Sequence, residues 1–172
     1  MKRRLVFMIY GFISSLDDET TKVFFRSKKI RGNNIYCAGS LGELTSVLIT
    51  LFIQGEKDEA PTNIQKEAYI SFINKKMILM SEIEEKVFEY YQTVCAEYRE
   101  MYGEEADLYA PIVDEPSQLV GFVKPQSIMK PRSKDKRIIN VLFKTKWDLE
   151  MGIGIQLVNE RIEIVGVQSD VL

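Results

Sequence analysis

The most regular pattern of apolar positions runs from Ser81 to Tyr102, where apolar side chains recur every three or four residues. That spacing places them on one side of an α-helix. The members of this apolar stripe are Ile83, Val87, Tyr90, Tyr91, Val94, Tyr98 and Met101. Many of the remaining positions are glutamate, so the pattern predicts a helix with one buried and one acidic side. Ser81 and Glu84 have the spacing of a capping box, and Gly103 suits the left-handed residue that ends a helix.

A second, shorter helix is predicted just before the first. Thr62 and Gln65 form another capping box, and apolar residues continue at helical spacing to about Asn74. Because the link to Ser81 is short, the two helices are expected to form an αα-hairpin.

Strand patterns lie on both sides of these helices. Leu5 to Ile13 and Val47 to Ile53 are apolar runs rich in β-branched or aromatic residues, and a hairpin is expected around Gly32. The proline-containing stretch from Leu108 to Ser133 is predicted to be a connecting arm, with at most a short edge strand at Leu119 to Val123.

The last part of the chain alternates as a half-buried sheet does. Between Arg137 and Trp147, one face carries Ile139, Val141, Phe143 and Trp147, and the other carries Asn140, Lys144 and Lys146. Two further strands, Ile153 to Val158 and Arg161 to Val165, are joined by Asn159 and Glu160, which predicts a hairpin with a two-residue turn. These patterns predict one α+β domain over residues 1–172, with a mostly antiparallel sheet and a two-helix hairpin packed on one face.

Charge is distributed unevenly along the chain. Met1 to Leu41 carries 8 basic and 3 acidic residues, whereas Gly42 to Gln118 carries 6 basic and 16 acidic residues, a net charge of −10. Leu119 to Leu172 is again basic, with 9 basic and 6 acidic residues. An acidic middle between basic ends indicates one acidic face, although a Glu-rich helix surface that only keeps the protein soluble gives the same pattern.

The composition excludes several classes of enzyme. The sequence has no histidine, which removes Ser-His-Asp and Cys-His catalysis and every His-ligated zinc or iron site. Cys37 and Cys95 lack metal-ligand spacing and are expected to be free thiols. No glycine-rich phosphate-binding motif follows a predicted strand, so we expect no cofactor and no metal. The basic segment Lys124 to Arg137 has no interleaved aromatic residue, so no nucleic acid is expected either.

The N-terminal apolar run allows two interpretations. Lys2, Arg3 and Arg4 precede it, as basic residues precede the apolar part of a signal peptide. We predict a first strand instead and place the protein in the cytoplasm. The run is also too short to span a bilayer, so no membrane association is expected.

The segment Trp147 to Gly154 carries the most distinctive residues of the chain: Trp147, Asp148, Glu150, Gly152 and Gly154. Asp148 and Glu150 can accept hydrogen bonds from turn amides, and the glycines permit positive φ or a bulge. This structural interpretation competes with a catalytic one, in which the two carboxylates bind a cation or divide acid and base roles.

These residues, with a few upstream, resemble a family of uncharacterised bacterial domains whose signature reads Trp-Asp-x-Glu-His-Gly-Leu-Gly. The matching residues are Pro61, Thr62, Gln65, Tyr90, Tyr91, Trp147, Asp148, Glu150, Gly152, Gly154 and Gly166. The resemblance covers roughly Val47 to the C-terminus and implies no particular reaction, although some members look like immunity proteins that neutralise toxins. Met151 stands where the family usually has histidine, so any function of that histidine is lost here.

We therefore predict a non-enzymatic protein-binding domain, with toxin immunity as its specific form. The alternatives are a carboxylate-dependent hydrolase using Asp148 and Glu150, and an orphan structural domain. The predicted partner-facing surface is acidic, because complementary charge steers protein association. Its candidate residues are Glu56, Asp58, Glu59, Glu82, Glu85 and Glu89.

Overall fold

A computed structural model describes residues 34–35, 49–55 and 60–172 of the chain. The helices of this part are α1 (Asn63–Asn74), α2 (Lys76–Tyr102) and the short α3 (Ala106–Tyr109). Its strands are β1 (Asn34–Ile35), β2 (Ile49–Ile53), β3 (Val123–Lys130), β4 (Ile138–Thr145), β5 (Ile153–Val158) and β6 (Arg161–Gly166). The predicted strand Leu5 to Ile13 and the turn at Gly32 lie outside the described residues.

The strands form one sheet in the order β1-β2-β3-β4-β5-β6, in which β1 contributes only two residues. β2 and β3 are parallel, and every other neighbouring pair is antiparallel. A parallel pair needs a crossover connection, and here α1 and α2 supply it. The predicted α+β class and mostly antiparallel sheet are confirmed.

The start of α1 follows the sequence pattern, but the start of α2 does not. Thr62 Oγ1 accepts from the Gln65 amide at 3.2 Å, and the Thr62 amide donates to Gln65 Oε1 at 3.0 Å, which is the predicted capping box. α2 begins at Lys76, so Ser81 lies inside the helix and the predicted cap there is wrong. Leu79 and Met80 are buried, and their burial favours a helix that starts before Ser81, closer in sequence to α1.

Only Lys75 separates α1 from α2. Antiparallel packing of the two helices against each other stays a prediction. At the other end, α2 stops at Gly103 as predicted, but with φ of +55° and ψ of −118° this glycine is outside the left-handed helical region that was expected.

The buried side of α2 is centred on Val87, Tyr91 and Cys95. Met101 was predicted to share this side, but 68% of it is exposed. At about 100° of rotation per residue, Met101 lies to one side of the line through the buried residues, so its side chain leaves the core.

β3 corrects the predicted connecting arm. Four prolines argued against an interior strand, yet Val123–Lys130 pairs with β2 on one side and β4 on the other. Pro125 is tolerated because the register with β4 shifts between Pro125 and Ser127, and the described pairing with β2 begins only at Ser127.

β4 is buried on both faces rather than one. Ile139, Val141 and Phe143 pack in the core, as predicted. Asn140 was placed on the solvent side, but it is fully buried, and its Nδ2 donates to the main-chain oxygen of Val171. The C-terminal residues cover this second face, which explains the error.

The β5–β6 hairpin has the predicted two-residue turn, with φ of +50° at Asn159 and +62° at Glu160. Glu160 also ties this turn to its surroundings. Its carboxylate accepts from Arg137 Nε at 2.7 Å and lies 3.3 Å from Lys75 Nζ. The hydrogen bond from Arg137 is the main cause that lowers the Glu160 pKa to about 2, with Ser71 and Lys75 contributing, although burial opposes it.

Candidate functional site: the Trp147 to Gly154 turn

The connection between β4 and β5 is built around Asp148. Asp148 Oδ1 accepts from the amides of Glu150 (3.2 Å) and Met151 (2.9 Å). Thr145 Oγ1 donates to the Asp148 carbonyl and accepts from the Asp148 amide. Asp148 therefore caps its own turn, which supports the structural interpretation for this residue.

The other carboxylate oxygen of Asp148 fastens the turn to α2. Tyr98 donates its hydroxyl to Asp148 Oδ2 at 2.6 Å. Burial, followed by this hydrogen bond and the charge of Asp148, raises the pKa of Tyr98. The hydroxyl thus remains a donor, and both oxygens of Asp148 are engaged in holding the fold.

Trp147 is the anchor of the turn. Its side chain is fully buried, with its ring centroid 4.6 Å from that of Tyr91 on α2. The Trp147 carbonyl accepts from the Tyr102 hydroxyl at 3.1 Å. The tyrosines of α2 are thus bonded to the turn through ring contacts and hydroxyls.

The glycines of the motif allow neighbouring backbone segments to approach so closely that no side chain would fit between them. Gly152 has φ of +56°, and a Cβ there would lie 2.3 Å from the Phe143 carbonyl oxygen. A Cβ on Gly154 would lie 2.5 Å from Val171 Cγ2 and 3.0 Å from Gln168 Cα. Positive φ is therefore confirmed at Gly152, whereas Gly154 is required for close approach of the C-terminal segment.

That C-terminal segment is held by polar contacts as well. Gln168 Nε2 donates to the Phe143 carbonyl (2.8 Å) and to Gln126 Oε1 (2.7 Å). A Cβ on Gly166 would meet Asp170 Oδ2 at 2.2 Å. Three of the glycines in the resemblance thus line one surface, over which residues 168–171 fold.

The two candidate catalytic carboxylates have different surroundings. Asp148 is half-buried and hydrogen-bonded to Tyr98, whereas Glu150 is exposed on the outside of the turn. Their neighbours Leu149 and Met151 are exposed too, with 74% and 39% of their surface accessible. Met151, which replaces the family histidine, therefore faces outward.

The candidate acidic residues of α2 lie on its solvent side. Glu82, Glu85 and Glu89 are all exposed, and Glu89 is paired with Lys86. Glu56, Asp58 and Glu59 lie outside the described residues. Glu84 was grouped with the acidic side but is buried, and burial, followed by the charge of Glu85, raises its pKa.

Sequence reasoning missed Lys130, which is fully buried in β3 with its Nζ 4.7 Å from the centroid of the Tyr69 ring. Gln65 of α1 donates to the Lys130 carbonyl at 3.0 Å. Burial lowers the pKa of Lys130 to about 8. Lys130 is buried because β3 pairs with both β2 and β4, and no local pattern in the sequence predicts this burial.

Lys130 is expected to make the protein more stable in mild alkali. Its pKa is about 8 in the folded chain and about 10.4 when unfolded. Below pH 8 both states are protonated, and the cost of burying the charge is fully present. As pH rises, the folded state loses its proton first, so the free energy of unfolding increases by about 2 kcal/mol between pH 7 and 9.5.

Denaturant titrations across this pH range would measure the effect. Lys130→Met is expected to remove the increase, whereas Lys124→Met, at an exposed position of the same strand, should retain it. An equal increase in the Lys130→Met variant would contradict this assignment.

Two features of the described part of the chain bear on metals and membranes. Within it, no group of three or more Cys, Asp or Glu side chains is arranged to hold a metal ion. No helix described there is both long and apolar enough to cross a membrane.

Comparison with known proteins and families identifies the family of this chain. No curated protein and no solved structure matches the chain. The model of one family, described as a domain of unknown function (DUF6985), matches residues 35–172. That range includes every described helix, the strands β2 to β6 and the whole Trp147 to Gly154 turn. The chain belongs to this DUF6985 family of domains.

Proposed function

We propose that this chain is a non-enzymatic protein-binding domain whose partner contacts the acidic side of α2. The observation that carries the proposal is the position of Glu82, Glu85 and Glu89. All three are exposed on a 27-residue helix whose opposite side is packed in the core. A rigid helix with one charged, solvated side presents its carboxylates in a fixed pattern, which suits recognition of a basic surface.

Toxin immunity is the specific form that we propose. The resemblance to bacterial domains with a Trp-Asp-x-Glu-His-Gly-Leu-Gly signature, some of them immunity-like, supports this form. An immunity protein for a basic toxin would act in the cytoplasm and would need an acidic surface. Glu56, Asp58 and Glu59 stay candidates for the same surface by sequence, and they lie outside the described residues.

The arrangement of Asp148 favours binding over the hydrolase alternative. A catalytic carboxylate needs an oxygen that reaches substrate, whereas both oxygens of Asp148 accept hydrogen bonds from the turn or from Tyr98. Glu150 is exposed and lacks the apolar surroundings that tune a general acid. The motif residues thus stabilise the fold, and we assign the binding role to the exposed surface of the domain.

Charge reversal on α2 tests the proposal. Proteins encoded beside the gene of this chain are the candidates, and their association rates can be measured by stopped-flow at low and high salt. Glu82→Lys with Glu85→Lys is expected to slow association about tenfold at low salt. Both side chains are exposed, so the melting temperature should stay unchanged.

A matched control separates the helix surface from net charge. Asp135→Lys with Glu163→Lys alters the charge equally at exposed positions outside α2, and it should leave the rate nearly unchanged. Equal slowing by both double variants, or no slowing by the α2 variant, would remove this side of the helix as the binding surface.

A further inference from the structure

Exposed apolar side chains and half-buried tyrosines lie where the second half of α2 meets the Asp148 turn. Tyr98 reaches the turn through its bond to Asp148, and the largely exposed Met101 lies one helical turn further along α2. Leu149 and Met151 project from the turn itself. We call Tyr90, Tyr98, Met101, Leu149 and Met151 the tyrosine–methionine patch.

Carboxylates surround this patch. Burial is the first cause that raises the pKa of the Tyr90 hydroxyl, and the charges of Asp148, Asp170 and Glu97 raise it further. Glu97, Asp170 and Glu150 are exposed. Their negative field therefore falls on the same surface as the tyrosine rings.

Arg99, which follows Tyr98 on α2, has partners of its own. Arg99 NH1 donates to Asp107 Oδ1 and to the Ala110 carbonyl, both at 2.8 Å. Its guanidinium is thereby bound beside α3.

We propose that the tyrosine–methionine patch binds a segment of a partner protein in which arginine or lysine side chains stand beside apolar ones. This inference rests on the proposed role in protein binding, and it adds a second contact surface with a defined partner chemistry.

The side chains of the patch fit such a segment. A cation can lie over a tyrosine ring while pairing with Glu97 or Asp170, which combines cation–π and ionic attraction. Methionine adapts its shape to different apolar partners, and tyrosine and methionine are enriched at interfaces. An acidic or purely polar segment would gain neither contact.

The test uses a short peptide of alternating arginine and leucine, titrated into the full chain. Its control is the same peptide with glutamate in place of arginine. With methyl-labelled methionine, the signals of Met101 and Met151 are expected to shift, while the exposed Met77 on the first turns of α2 stays in place. Shifts that are equal at Met77, or equal with the acidic peptide, would overturn the proposal.

Two double variants then test the apolar contact. Leu149→Ser with Met151→Ser is expected to weaken the basic peptide about tenfold, because it removes both exposed apolar groups of the turn. Ile78→Ser with Ile112→Ser changes two exposed apolar residues outside the patch and should leave the affinity unchanged. Equal affinities in the two variants would overturn the proposal.

The outcomes also separate this inference from the proposed use of the acidic side of α2. If Glu82→Lys with Glu85→Lys slows association with the partner while the turn variant binds as the native chain does, the patch is not a binding surface and the proposed function stands. If only the turn variant weakens binding, the patch is the contact surface and the acidic side of α2 is not.

Discussion

Replacing Trp147 by alanine is expected to lower the free energy of unfolding by about 3–5 kcal/mol. The indole is fully buried and packs against the Tyr91 ring, so its removal leaves a large cavity between the sheet and α2. Urea denaturation followed by circular dichroism would measure the loss, since the variant has no tryptophan to serve as a fluorescent probe.

The matched control is Phe52→Ala, which also removes an aromatic ring but at a half-exposed position of β2. That change should cost about 1 kcal/mol, in keeping with the smaller area removed from contact. An unfolding midpoint unaffected by Trp147→Ala would show that the turn is not anchored through this ring.

Replacing Gly152 by alanine is expected to cost about 3–4 kcal/mol, from strain at positive φ together with overpacking. The new Cβ would lie 2.3 Å from the Phe143 carbonyl oxygen and 2.7 Å from Gln168 Nε2. The first of these atoms belongs to the backbone of β4, which cannot move aside without breaking the sheet. Denaturant titration gives the cost directly.

Gly103 offers a control that isolates the backbone from the packing. Its φ of +55° nearly equals that of Gly152, but a Cβ there meets nothing within 4 Å. Gly103→Ala should therefore cost only the strain, about 1–2 kcal/mol. Equal losses in the two variants would mean that close packing at Gly152 contributes nothing.

Together these variants test whether the residues of the Trp147 to Gly154 motif are all needed for folding. Asp148 caps the turn, Trp147 anchors it beneath α2, and Gly152 and Gly154 admit β4 and the C-terminal segment at close range. Each requirement is one of folding. Of the side chains in this stretch, Leu149, Glu150 and Met151 are the ones exposed to a partner.

The acidic side of α2 and the tyrosine–methionine patch both include residues of α2 but differ in chemistry. Glu82, Glu85 and Glu89 offer charge alone, which chiefly affects the rate of association. The patch adds apolar area, which chiefly affects the lifetime of a complex. Measuring association and dissociation rates separately would therefore tell which surface a given partner uses.

Local patterns in the sequence determined much of this fold. The cap at Thr62 and Gln65, the stop at Gly103 and the turn at Asn159 and Glu160 depend on chemistry within a few residues, and each was correctly predicted. The apolar stripe of α2 and the alternation of β4 likewise identified Val87, Tyr91, Phe143 and Trp147 as core residues.

Tertiary structure alone decided the rest. β3 is an interior strand despite Pro125, because the register with β4 shifts next to the proline, which has no amide hydrogen to donate. Asn140 and Lys130 are buried because the C-terminal segment and the strand pairing cover them. Ser81 is no cap, because burial of Leu79 and Met80 extends α2 to Lys76. The bond from Tyr98 to Asp148 joins residues 50 positions apart, and such contacts arise only when the folded chain brings them together.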